Sequence, residues 1–208
     1  VSRRDIVACE AKALETVGVV ADRDAPDALV GQPLPRTFRL ACPGISPEQI
    51  ELAVSAYRAI YNERMTETSL PFGGVVEALS ELRSIGVPAA VATTKRTQVA
   101  KQLVERTGLS QLIPVIVGTD EPMQHKPMPD VILAACKELG VGPACVWAVG
   151  DTPTDLLAAK AAGCKAAVAL WGAYDPQGLV ALGPDEAWPS PGRAVEIASV
   201  SNVSGTKT

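Results

Sequence analysis

The chain lacks the features that mark secreted, membrane-spanning or nucleic-acid-binding proteins. Its five cysteines (Cys9, Cys42, Cys136, Cys145 and Cys164) are odd in number and show no C-x-x-C spacing, which argues against a disulfide framework or a zinc site. Several sit in apolar runs such as "GPACVWAVG", where a thiol behaves as a small hydrophobe. No apolar run approaches the length of a membrane span, and no secretory signal opens the sequence. Reduced thiols in a cytoplasmic protein are therefore expected. Excess positive charge is also missing. Lys and Arg total 19 against 23 Asp and Glu, a formal net charge of −4, so a broad nucleic-acid surface is not expected. A compact cationic pocket remains compatible with that balance, because net charge does not describe local charge. Internal repeats are absent.

What is present is an ordinary globular composition, 47% hydrophobic and 20% charged, in 208 residues. That length buries one substantial core, with room for a smaller second lobe. From Gly86 onward, short apolar runs alternate with helical patterns that end in glycine. The runs fall near residues 87–92, 114–118, 145–149 and 165–170, and predict four strands of a parallel α/β sheet flanked by helices. The earlier part is different. "RRDIVACEAKALETVG" and "SPEQIELAVSAYRAIYNERM" read as amphipathic helices, with a looser stretch containing "DALVGQPLPRTF" between them. Ser46 followed by Pro47 suits a helix cap and a first-turn proline. The expected organisation is a helical lobe over residues 1–70, an α/β core over 71–198 and a polar tail over 199–208.

Three polar clusters follow predicted strands, on the side where open parallel sheets bind ligands. In "VATTKR", Thr93 and Thr94 offer hydroxyls and helix-start N–H groups to a phosphate oxygen; a simple helix cap accounts for either threonine taken alone. In "HKPMPD", Lys126 offers a compact cation to a phosphate, or is a solvated surface lysine. His125, the single histidine, either borders a substrate or is incidental to the loop. In "VGDTPTDLLAAKAAG", Thr152, Pro153 and Asp155 have the spacing of a capping box, which explains Asp155 but not Asp151. A carboxylate at the Asp151 position suits a hard cation such as Mg²⁺, and Asp155 suits holding a metal-bound water or orienting the lysine.

Taken in order, a threonine after one strand, a lysine before a proline and G-D-x-x-x-D after another strand resemble the haloacid dehalogenase (HAD) superfamily. "LPFGGVVEALSELRSIGVPAAVATTK", "HKPMPDVILAACKELGV" and "VALWGAYDPQGL" resemble its phosphoglycolate phosphatase-like branch with a helical cap. The resemblance implies a Rossmann-like core and a Mg²⁺-dependent phosphatase acting on a small phosphorylated metabolite. Thr93 would hydrogen-bond the phosphoryl group, with Thr94 standing where the family commonly has Asn. Lys126 would stabilise nucleophile and phosphoryl charge. Asp151 would bind Mg²⁺ directly, and Asp155 would complete the metal site as its partner. Residues 1–70 would be the cap, over a cleft shared by the four site residues. Lys12 and Arg36 would be cap cations able to meet an anionic substrate, or solvated faces. No nucleic-acid or membrane partner is implied, and oligomeric state is left open.

The family also opens with an apolar strand ending in D-x-D-x-[TV], whose first Asp is the nucleophile and whose second is the general acid/base. Here "VSRRDIVACEAKAL" resembles the segment that follows that motif. Asp5 is no substitute, because its surroundings read as helix. The family's strand would lie between those ending at Ala92 and Val149, so the sequence is expected to be incomplete and inactive as written. Two alternatives stay open: a phosphate-binding or interaction module without a nucleophile, and a phosphonate hydrolase or phosphosugar mutase of the same branch.

Overall fold

A computed structural model describes residues 3–20 and 34–204. The chain divides into two compact units, Val1–Leu70 and Pro71–Thr208.

The first unit is helical: α1 (Arg3–Glu15), α2 (Leu34–Ala41) and α3 (Pro47–Thr68). Ser46 starts α3 as a capping box. Its hydroxyl accepts from the Gln49 N–H at 3.2 Å, and the Gln49 side chain accepts from the Ser46 N–H at 3.0 Å. Helical spacing brings Cys9 and Ala13 of α1, Phe38 and Ala41 of α2, and Ala53 and Tyr57 of α3 into one core. The stretch read as loose becomes helix from Leu34. Pro35 falls in the first turn, where its missing N–H costs nothing, and Thr37, Phe38 and Ala41 form a buried face. The rest of that stretch, residues 27–33, lies outside the described residues.

The second unit alternates helix and strand: α4 (Val75–Ser84), β1 (Ala90–Thr93), α5 (Thr97–Arg106), β2 (Val115–Gly118), α6 (Asp130–Leu139), β3 (Trp147–Gly150), α7 (Pro153–Ala161), β4 (Lys165–Ala169), α8 (Pro176–Ala181), β5 (Glu186–Trp188) and α9 (Arg193–Ser204). Gly86, Gly108, Gly140 and Gly163 follow α4 to α7 with φ of 76°, 72°, 70° and 74°, the left-handed step that ends a helix. All pairing is parallel, as predicted, but it forms two ladders rather than one sheet. One joins β1 to β2, with Ala90 opposite Val115. The other has the order β3-β4-β5, with Trp147 opposite Lys165 and Ala167 opposite Glu186.

Several details differ from the sequence pattern. The first strand starts at Ala90 rather than 87, because the Val87 N–H closes α4 on the Leu82 carbonyl and Pro88 has no N–H. A 3-10 turn at Pro143–Cys145 delays the third strand to Trp147. The fifth strand escaped notice because it is three residues long and is flanked by Asp185 and Pro189. Asp185 anchors it, accepting from the Ala166 N–H at 2.7 Å and donating to the Ala166 carbonyl at 2.9 Å. At the C-terminus, α9 runs to Ser204, into the segment read as a tail. Cys145 is exposed, whereas the other four cysteines are buried as expected; none of the five forms a disulfide.

The two ladders share one core. Ala92 and Val117 of the first and Ala148 and Ala166 of the second pack with Val131 and Ala135 of α6. Strands β1 and β3 do not pair with each other. Between them runs an apolar groove of about 750 Å³, lined by Ala90, Ala92, Ala148 and Val149 along its sides. Helix α6 lines it through Ala135 and Cys136, and α4 and α9 line it through Leu79, Leu82 and Ile197.

Candidate active site

The carboxyl ends of β1 and β3 meet through Lys126. Its Nζ donates to the Ala92 carbonyl of β1 at 2.9 Å and to Asp155 Oδ1 of α7 at 2.7 Å. The ion pair is largely shielded, with side-chain exposures of 10% and 19%. An ion pair this sheltered keeps a fixed geometry, unlike a surface pair. Lys126 is thus not a solvated loop lysine.

Asp155 does two jobs with two oxygens. Oδ1 takes Lys126, while Oδ2 accepts from the Thr152 N–H at 3.1 Å and from the Thr152 hydroxyl. Thr152 Oγ1 accepts in turn from the Asp155 N–H at 3.3 Å, completing the capping box with Pro153 at the first turn. Both explanations of this residue hold together. The cap orients the carboxylate, and the oriented carboxylate holds the lysine.

Asp151 directly follows β3 and is half-buried. Burial first, and the charge of Asp155 second, push its carboxyl above the usual carboxylate range; Lys126 and Lys95 partly offset this. Thr93 ends β1, its hydroxyl accepting from the Lys95 N–H at 3.3 Å and its carbonyl accepting from the Thr119 hydroxyl at 3.1 Å. Thr94 is exposed, as are His125, Lys12 and Arg36. The structure therefore brings Lys126 and Asp155 into contact, places Asp151 within their electrostatic reach, and sets Thr93 one residue beyond the carbonyl that holds Lys126.

Three residues passed over in the sequence belong to this constellation. Lys95 is half-buried and interacts with Asp151; burial lowers its pKa and Asp151 opposes that shift. Gly150 lies under Asp155, where an added Cβ would come 2.2 Å from the Asp155 Cβ. Gly172 lies under Asp151, where an added Cβ would meet Oδ2 at 2.7 Å. Glycine is needed at both for the carboxylates to sit against backbone. The "GD" pair hinted at Gly150; nothing local marked Gly172, which arrives from beyond β4.

Residues 2–169 match the family model described as haloacid dehalogenase-like hydrolase. The chain belongs to that family. Among its relatives is a protein of Dickeya dadantii named "Probable phosphatase IndB", 38% identical over 78% of this chain and 72% of that protein. Pyrophosphatase PpaX of Bacillus velezensis is 32% identical over 75% of this chain and 70% of its own length. Phosphoglycolate phosphatase of Thiobacillus denitrificans is 36% identical over 57% of this chain, and only 52% of that enzyme's length is spanned. A haloacid dehalogenase-like hydrolase from Streptococcus pneumoniae superposes with a TM-score of 0.78 at 25% identity, covering 95% of this chain and 90% of that one. A Haemophilus somnus protein at 22% identity shares the fold with a TM-score of 0.82, covering 95% of this chain and 92% of its own.

A carboxylate destabilised by burial and by a second carboxylate gains most from a bound cation, and Asp151 is in that position. Asp155 has both oxygens engaged by Lys126 and Thr152. Among the described residues no group of three or more His, Cys, Asp or Glu could hold a metal. No described helix is long and apolar enough to cross a membrane.

Proposed function

We propose that the protein is a Mg²⁺-dependent phosphatase acting on a small phosphorylated metabolite, in the manner of the phosphoglycolate phosphatases, through an aspartyl-phosphate. One observation carries this reading: a sheltered lysine is fixed at the carboxyl ends of β1 and β3, beside a destabilised carboxylate and a threonine. Lys126 neutralises charge on the phosphoryl oxygens, and the Thr93 hydroxyl donates to one of them. Thr94, next to Thr93, is exposed and offers a second hydroxyl to the phosphoryl group. Asp151 binds Mg²⁺, with Asp155 as its partner in the metal site, orienting Lys126 and the bound water. Bound Mg²⁺ supplies charge stabilisation that these side chains alone do not. The helical unit serves as the cap, and the five thiols suit a reducing cytoplasm.

None of these residues is a suitable nucleophile. Thr93 has no base beside it, Lys126 is ion-paired, and Asp155 is hydrogen-bonded on both oxygens. No D-x-D-x-[TV] occurs in residues 1–208. The attacking carboxylate comes from a strand carrying that pattern. It displaces the alcohol from phosphorus, and water then cleaves the acyl phosphate to regenerate the carboxylate and release inorganic phosphate. The test compares residues 1–208 with the same chain preceded by such a strand, both folded, on an aryl phosphate with Mg²⁺. Turnover by the longer form alone is expected. Turnover by residues 1–208, abolished by changing Asp151 or Asp155, would reveal a nucleophile in this chain. Phosphate binding without turnover in either form would make the protein a binding module.

A further inference from the structure

The chain beyond β2 goes on bonding to the chain beyond β1 after their ladder has ended. Thr93 opposite Gly118 is the last pair in register. Past it, the Thr119 N–H donates to the Lys95 carbonyl at 2.9 Å, and the Thr119 hydroxyl donates to the Thr93 carbonyl at 3.1 Å. The Gly118 N–H donates to the Thr97 hydroxyl at 3.0 Å. Asp120 accepts from the Thr97 N–H at 3.2 Å and so caps α5, whose own N-cap residue, Arg96, makes no side-chain cap. Gly118 permits the close approach, because an added Cβ would collide with the Thr97 nitrogen and the Lys95 carbonyl. Residues 118–120, "GTD", thus grip the turn that runs from Thr93 to Thr97.

These grips are unequal. Asp120 is exposed and Thr97 half-buried, so water replaces the bond between them at little cost. Thr119 is 6% exposed, and removing its hydroxyl leaves the Thr93 carbonyl short of a partner in a sheltered place. We infer that Thr119 is a positioning residue for Thr93. By fixing the Thr93 and Lys95 carbonyls, it sets the Lys95 N–H against the Thr93 hydroxyl oxygen, at 3.3 Å. A hydroxyl that accepts there keeps its own hydrogen for a second partner. Thr119 therefore holds the Thr93 hydroxyl as a donor with one direction already taken. It acts through Thr93 and contributes no group to the reaction. That the second partner is a phosphoryl oxygen rests on the phosphatase reading; the hold on the turn does not.

The experiment compares Thr119→Val, which removes the hydroxyl at nearly constant volume, with Thr119→Ser, which keeps it. In the 208-residue chain, amide exchange at Lys95 should accelerate about tenfold in the valine variant and stay within about twofold of wild type in the serine variant. Exchange at Val117, inside β2, should not change in either. In the same chain preceded by a D-x-D-x-[TV] strand, Thr119→Val should lower kcat for an aryl phosphate about tenfold, because the donor is misplaced. KM and the Mg²⁺ requirement should hardly move, and Thr119→Ser should restore kcat. Thr119→Ala, which adds no bulk, repeats the comparison if the valine variant does not fold. Unchanged exchange at Lys95, faster exchange with kcat unchanged, or a loss of kcat that serine does not restore would each overturn the inference. Faster exchange in the valine variant of a protein whose wild type shows no turnover would keep the hold of Thr119 on the turn and remove the phosphatase reading.

Discussion

Strand β4 and strands β1 and β3 are built from similar residues and reach different states. In β4, "KAAVA", the four residues after Lys165 are all buried, with Ala166 and Val168 at 0% and 1% exposure. In β3, "WAVG", Val149 is 41% exposed, and in β1, "AVAT", no residue is buried. The difference is neighbours. Strand β4 lies between β3 and β5, whereas β1 and β3 each have a partner on one side only. Apolar composition states what a strand can tolerate; pairing decides how much of its surface leaves water.

The largest test of this contrast replaces one residue in each environment with asparagine. Ala167→Asn should cost roughly 3 kcal/mol or more, from overpacking and an unpaired buried amide. Val149→Asn should cost under about 1 kcal/mol, the usual range for a partly exposed site. Urea titration measures both, and comparable losses would show β3 to be as closed as β4.

Lys126 ties the open end of β1 to the helix after β3. Lys126→Met should lower stability by about 1–2 kcal/mol, because Asp155 keeps its shelter and loses its cation. In a form that turns over, it should also lower kcat at least 100-fold. A stability loss with kcat unchanged would leave Lys126 as a structural tie.

The two carboxylates at this end should separate under metal titration. Asp151→Asn is expected to weaken Mg²⁺ binding far more than Asp155→Asn, since the first loses charge on the metal and the second loses orientation. Calorimetry on both variants decides, and equal losses would reverse the roles assigned here.

The smallest effect concerns the helical unit, whose closed core contains its own misfit. Glu10 is 4% exposed with Oε2 lacking a hydrogen-bond partner, and burial pushes its carboxyl up to about 7. The folded value lies above the ordinary 4.5, so stability is fully present below about pH 4.5 and declines as pH rises toward 7. Glu10→Gln should flatten that decline, raising Tm at pH 8 and leaving it nearly unchanged at pH 4.5. A parallel drop in wild type and variant would assign the decline to other groups.

Much of this was legible in advance because helix and strand periods are local properties. The helices closed by Gly86, Gly108, Gly140 and Gly163 could be placed from spacing and chemistry alone. Strand β5 could not, because three residues carry no period and its anchor, Asp185, works through Ala166 on a neighbouring strand. Lys95 and Gly172 were missed for the same reason. Each matters through Asp151, which lies far from both in sequence.

By itself, the amino-acid sequence determined which segments become helix or strand, that the strands run parallel, and which residue types collect at their carboxyl ends. Those properties follow from side-chain periodicity, caps and turn residues acting over a few positions. Tertiary structure alone decided that Asp155 is saturated by Lys126 and Thr152, that Asp151 sits on Gly172 at a raised pKa, and that β1 and β3 border an unfilled groove. Each of these depends on groups brought together from separate strands, and burial and Coulomb interaction act only once those groups are close.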